Sequence, residues 1–175
     1  EKNVRIPVQV FGDLRAQLSA CAIAEKQFIE LVERFGKETT RFYMQELIDH
    51  TERLTRAALR NLPDGVFEFE DWIDDDGIDR DQPIRLYCTI TKQNDSICVD
   101  WAGSSAQVKG AINCTLSFTK AVSYAAIRSV LDYNIPCNEG LFRAIEVTAP
   151  PGTVTNMVLP AALSFMHCRR RPRPP

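Results

Sequence analysis

The chain changes period at Leu62-Pro63-Asp64-Gly65. Ahead of this tetrapeptide apolar residues recur every three or four positions, and behind it they alternate. Proline breaks a helix and Asp-Gly makes a turn, so a helical stretch should end here and a sheet begin. The pattern predicts an α+β fold, with an antiparallel helical hairpin followed by a mainly antiparallel sheet and one buried helix.

On the helical side, Leu14, Leu18, Cys21, Phe28, Val32 and Phe35 fall on 4,3 spacing across residues 11–35, and only Glu25 interrupts the stripe. Gly36 is a natural stop. A second helix is expected over 37–61, with Tyr43, Met44, Leu47, Ile48, Leu54 and Ala58 on its apolar side and Glu52 placed to pair with Arg56. On the sheet side, strands are expected at 66–74, at 84–91 and from Ile97 to Trp101, with 92–95 turning the chain. In the first of these Asp71 shares a face with Phe67, Phe69 and Ile73, and a carboxylate buried there would need partners. Residues 117–131 are apolar on most sides and predict a helix buried between layers. Residues 132–140 read as a loop and 142–148 as a last strand.

The connection from Asp100 to the third helix is the best functional candidate. It reads Asp-Trp-Ala-Gly-Ser-Ser-Ala-Gln-Val-Lys-Gly-Ala-Ile-Asn, and nothing in that composition builds a core. Gly103 and Gly110 permit close backbone approach or positive φ. Ser104, Ser105, Gln107 and Asn113 supply neutral donors and acceptors, Lys109 a charge, and the helix just beyond has free N–H groups that could face an anion. An Ω-loop packed on itself is the alternative, and the residues alone leave both open.

Other constellations point away from specific chemistry. Asp74-Asp75-Asp76-Gly77 resembles a calcium loop, but an EF-hand in that register needs ligands where Trp72 and Pro83 stand, so solvated turn carboxylates are expected. His50 and His167 are the two histidines and have no second ligand at usable spacing, so no metal ligand is assigned. The six cysteines include no C-x-x-C and read as reduced cytosolic thiols. No G-x-S-x-G is present. The net charge is −2, but four arginines lie in the last seven positions; without them 17 basic residues face 23 acidic ones, which argues against a nucleic-acid partner for the folded body. No apolar run approaches the length of a membrane span.

Several short motifs, in order, carry a family resemblance. They are Asn3-Val4-Arg5-Ile6-Pro7 with Gly12-Asp13-Leu14-Arg15-Ala16-Gln17, Leu62-Pro63-Asp64-Gly65, Asp74-Asp75-Asp76-Gly77, the run from Val99 to Gly110 with Asn113, and Pro136-Cys137-Asn138-Glu139-Gly140. Their order and spacing resemble the hydantoinase B / oxoprolinase family, nearer its hydantoinase B branch. The resemblance implies a cytoplasmic, ATP-dependent amidase for cyclic amides such as hydantoins or 5-oxoproline. A B-type polypeptide of this kind works with an A-type ATP-binding subunit or fused domain. ATP and a divalent metal belong to the parent complex and not to this fragment, because the family's His- and Asp-rich segments lie upstream. Related complexes carboxylate ketones, and a non-catalytic assembly module is a further alternative.

By this resemblance residues 1–162 are the central portion of such a domain, with the hairpin over 8–61 and sheet plus helix over 66–148. The isolated fragment is expected to be inactive. Asp100, Gly103, Ser105, Gln107, Lys109, Gly110 and Asn113 become candidates for one wall of a substrate site; catalytic residues stay unassigned. Trp101 and Ala102 depart from the family's usual residues. After Ala162 the sequence leaves the family pattern for a Met-His-Cys-Arg-Arg-Arg run, so 163–175 read as a disordered, aberrant Arg/Pro tail from an out-of-frame or misjoined end. A basic nuclear-localisation or RNA-binding tail is the competing reading.

Overall fold

The computed structural model describes residues 6–132 and 134–163. The elements are α1 (Pro7–Phe35), α2 (Lys37–Arg60), β1 (Gly65–Ile73), β2 (Ile84–Gln93), β3 (Ser96–Asp100), α3 (Leu116–Val130), α4 (Glu139–Phe142) and β4 (Ile145–Thr148). This is the α+β arrangement expected, with helices first and a sheet after. The chain divides into two compact units, Glu1–Leu47 and Ile48–Pro175, at a point inside α2.

In the first unit the apolar stripe does not behave as a packed hairpin requires. One residue, Gly36 at φ 80°, links α1 to α2, and α1 buries none of its residues. Leu14, Leu18, Phe28 and Phe35 stay exposed, as do Tyr43, Met44 and Leu47 at the start of α2. Amphipathic spacing specifies a face but not what covers it.

The second unit holds the core. Its sheet runs β1-β2-β3-β4; the first two pairings are antiparallel and β3–β4 is parallel. Gln93 pairs with Ser96, leaving Asn94 and Asp95 as a two-residue turn with Asn94 at φ 53°, a conformation asparagine tolerates. Lys92 therefore belongs to β2 and not to the turn. Its ammonium donates to the Leu62 carbonyl and to Asp64, both at 2.6 Å, and fastens the helix-to-sheet junction. The β1 face proves largely exposed: Phe67 and Phe69 face solvent and Asp71 is only half-buried, so the expected burial problem does not arise.

One sheet face, through Cys88, Ile97, Val99, Ile145 and Val147, packs with Leu59, Ile127, Ile135, Leu141 and Ala144. Two helices meet this core through unexpected stripes. In the later half of α2 the buried line is Thr51, Thr55 and Leu59, while Leu54 is exposed. In α3 it is Thr119, Ser123 and Ile127, with Phe118, Val122 and Val130 exposed, so α3 is buried along one edge and not between layers. The hydroxyls are satisfied within the fold: Thr55 bonds the Thr51 carbonyl, Ser123 bonds that of Thr119, and Trp101 Nε1 donates to Ser123 at 3.1 Å.

The expected strand over 142–148 begins only at Ile145. Asn138 Oδ1 accepts from the Gly140 amide at 2.9 Å and opens the single helical turn α4, while its side-chain Nδ2 donates to Thr51 Oγ1. A β-carbon on Gly140 would run into the Ile48 carbonyl and lie 2.8 Å from the Glu52 nitrogen, so only glycine lets α4 sit against α2. Arg143 then reaches Asp49 at 2.8 Å and Glu52 at 3.2 Å. Residues 164–175, which carry nearly all of the predicted tail, lie outside the described residues; Leu163, placed in that tail, bridges Ile112.

Candidate functional site

The connection after β3 is held almost wholly by its own polar groups. Asp100 Oδ1 accepts from the Ala102 amide at 3.1 Å and from Thr148 Oγ1 at 2.8 Å, turning the chain and tying β3 to β4. Gly103 has φ 95°, and a β-carbon there would come within 3.0 Å of the Tyr87 ring. Ser104 Oγ donates to the Tyr87 carbonyl at 3.0 Å and lies 3.1 Å from the Tyr87 amide that donates to it. Ser105 does the same for Arg85, its hydroxyl accepting from the Arg85 amide and its own amide donating to the Arg85 carbonyl, both at 2.9 Å. The two serines thus stand in for a neighbouring strand along β2.

Past the serines the loop is clasped to residues 152–163. The Gln107 amide donates to the Gly152 carbonyl, and the Gln107 side chain both accepts from the Val158 amide at 2.8 Å and donates to the Val158 carbonyl at 3.2 Å. Asn113, 1% exposed, accepts from the Val108 amide at 2.9 Å and donates to the carbonyls of Val108, Gly110 and Ala162. Both protons of its side-chain NH2 are committed to chain carbonyls.

Asp76 forms the other half of the site, and it is not a solvated turn carboxylate. It is buried; Oδ1 accepts from the amides of Ile78 at 2.8 Å and Asp79 at 2.7 Å, and Oδ2 accepts from that of Gly110 at 2.8 Å. The Ile78 and Gly110 amides, with the Asp79 amide and the Lys109 charge, hold its carboxyl below the ordinary carboxylate range against the opposing effect of burial. Lys109 pairs with Asp79 at 2.9 Å, which raises the Lys109 pKa. The Asx-turn potential of Asp-Gly was visible in the sequence, but its partner 34 residues on was not.

Between the two halves lies a cleft of about 320 Å³, lined by Gln82, Pro83, Ala106 and Val108 together with Lys109 and Asp79. All seven sequence candidates lie in or beside this connection, but they do not converge as free functional groups. Asp100, Ser105, Gln107 and Asn113 face chain partners, and Gly103 and Gly110 serve close approach. Lys109 differs, because a 72% exposed ammonium in a surface ion pair can be redirected at small cost. The backbone amides of Ser104, Ser105, Gln107, Val108 and Gly110 are all engaged within the fold. Among the described residues no group of three or more His, Cys, Asp and Glu is arranged to hold a metal ion. No helix among the described residues is long and apolar enough to cross a membrane.

A helical region leads into this mixed sheet, with a clasped loop beside a polar cleft, and comparison with known proteins gives the family. The Hydantoinase B/oxoprolinase family model matches residues 1–171, and the chain belongs to that family. A protein of Pseudomonas sp. (strain NS671), named as the B subunit of a D-/L-hydantoinase, is 35% identical over 170 residues, which cover 91% of this chain and 28% of that protein. The beta subunit of caprolactamase from Pseudomonas jessenii is 31% identical over 172 residues, 97% of this chain and 29% of the relative. The crystal structure of the ATP-dependent caprolactamase from Pseudomonas jessenii superposes with a TM-score of 0.80 at 31% identity, covering 92% of this chain and 28% of that one. An acetone carboxylase structure shares the fold, with a TM-score of 0.73 at 19% identity. The chain thus spans less than a third of the length of these relatives.

Proposed function

We propose that this chain is a segment of the B-type polypeptide of an ATP-dependent, cytoplasmic hydrolase that opens cyclic amides of the hydantoin or 5-oxoproline kind. Its partner in this reading is an A-type subunit or fused domain that handles ATP, and a divalent metal belongs to the complex outside this segment. The observation that supports the reading is the family match across residues 1–171, joined to relatives whose names mark them as the B or beta component of an enzyme. Within the segment, Asp100, Gly103, Ser105, Gln107, Gly110 and Asn113 form a rigid wall. Lys109 is its adjustable cation, able to leave Asp79 for a carbonyl or carboxylate of the substrate. Preorganisation of this kind lowers the ordering cost of binding. Ketone carboxylation, the alternative, has similarity of fold alone behind it.

The test is to purify the intact B-type polypeptide with its partner and supply hydantoin, 5-oxoproline or caprolactam, with and without ATP. Ring opening coupled to ATP consumption is expected, and none from the 175 residues alone. Ring opening without ATP, or bicarbonate incorporation into a ketone, would overturn the reading. An assembly role has one observation in its favour, the exposed apolar residues of α1 and β1. Two variants separate them: Lys109→Ala should raise KM with the complex intact if the loop is a substrate wall, and Phe67→Ser with Phe69→Ser should dissociate the complex if β1 serves assembly.

A further inference from the structure

The structure points to the apolar seam of α1 as the docking surface for an amphipathic helix that bears a lysine or arginine opposite Glu25. This rests on the reading of the chain as part of a longer subunit, because the helix is assigned to the remainder of that polypeptide.

Positions 11, 14, 18, 21, 25, 28, 32 and 35 alternate steps of three and four without a break, and all but Glu25 are Phe, Leu, Cys or Val. A strict 3.5-residue repeat over four turns or more is the signature of a seam wound against another helix. The helix is continuous across all eight positions, yet nothing in the seam is buried. Val10, Ala22, Ala24, Ile29 and Leu31 flank it and widen the apolar face beyond what a helix facing water on that side would carry.

Glu25 decides the chemistry of the occupant. On its own helix the residues three and four away are Cys21, Ala22, Phe28 and Ile29, so no cation is in reach, and among the described residues it makes no ion pair. Once the seam is covered, a lone carboxylate would be too costly to keep, and a basic residue opposite it both satisfies the charge and sets the register. A second copy of α1 does not provide one. In a parallel pair Glu25 meets Glu25, and in an antiparallel pair with the two ends of the seam matched it meets Cys21. A lipid surface is disfavoured because the polar face carries Asp13, Glu30 and Glu33 against Lys26 and Arg34, with no basic excess. The relatives, more than three times as long as this chain, have ample polypeptide for such a helix.

The test places a photo-crosslinking amino acid at position 18 of the intact subunit, purified with its partner, and identifies the captured peptide by mass spectrometry. Capture of a segment of the same polypeptide with 3,4-spaced apolar residues and a lysine or arginine within one turn is expected. In parallel, Glu25→Leu should lower the Tm of the intact subunit, and changing that basic residue to leucine as well should restore it. Capture of a second α1, of the partner subunit or of lipid, an absence of crosslinks, or an unshifted Tm would overturn the proposal. These readouts do not depend on turnover, so a correct crosslink in a subunit without cyclic-amide hydrolysis would sink the functional reading and leave this one standing.

Discussion

The amide of Gly110 donates to Oδ2 of Asp76 at 2.8 Å, and a β-carbon on residue 110 would lie 2.8 Å from the Asp76 Cβ and collide with the Asp76 carbonyl oxygen. The contact is between two backbones, so no side-chain rotation relieves it. Gly110→Ala is therefore expected to destabilise the chain by about 3 kcal/mol, the upper end for overpacking a tight site. Urea unfolding measures this, and a change under about 0.5 kcal/mol would show that the loop yields freely.

Asp76 also makes stability depend on acid. Its folded pKa is held below the ordinary value by amide hydrogen bonds, first those of Ile78 and Gly110. The unfolded chain therefore takes up its proton at higher pH than the folded chain does. The contribution is complete above the ordinary carboxylate pKa and disappears as pH falls through the lowered one. Asp76→Asn should flatten that part of the stability profile between wild-type and variant; parallel acid unfolding curves would contradict it.

Asn113 allows a sharper comparison. Asn113→Ala leaves the Val108 amide and the Val108 and Ala162 carbonyls without this side chain as partner, while the Gly110 carbonyl keeps the Ile112 amide, costing roughly 3 kcal/mol. Asn113→Asp should be worse at neutral pH, because a carboxylate would then face those carbonyl oxygens. Protonation restores one donor, so the folded pKa of the new Asp is raised and the defect should ease as pH falls. Thermal melts of both variants at two pH values would show the crossover, and an Asp variant insensitive to pH would count against the geometry.

Lys92 and Asp64 form an asymmetric pair, the lysine side chain 5% exposed and the aspartate 61%. Removing the aspartate strands a buried ammonium, whereas Lys92→Met replaces the lysine with an apolar chain of similar length and leaves a hydrated carboxylate. Asp64→Ala should therefore lower the unfolding midpoint more than Lys92→Met. The opposite order would mean that the Leu62 carbonyl alone suffices for the ammonium.

How much of this was legible can be judged residue by residue. The break at Leu62–Gly65 and the alternation through Ile84, Cys88, Ile97 and Val99 are local properties, and the helix-to-sheet order follows from them. Gly140 was not legible in the same way. Its fit against Ile48 depends on two elements meeting, and Phe142 followed by alternating residues read as strand although Asn138 was placed to cap a helical turn. In the loop, residue types singled out the right stretch but not the role of each side chain. Whether Ser105 or Asn113 waits for a ligand depends on whether Arg85 or Ala162 already holds it, and those partners lie 20 and 49 residues away.

That last separation has a consequence for the order of events during synthesis. The Asn113 carboxamide needs the Ala162 carbonyl, and Gln107 needs both backbone groups of Val158. A ribosome that has delivered β1, β2, β3 and α3 has made every residue of the loop but not yet its clasp. The loop closes only when the segment around residue 160 emerges, which makes it a late, long-range step. A nascent chain halted before that point should carry a native-like β1–β3 meander with an open flap, accessible to a protease between Gln107 and Asn113.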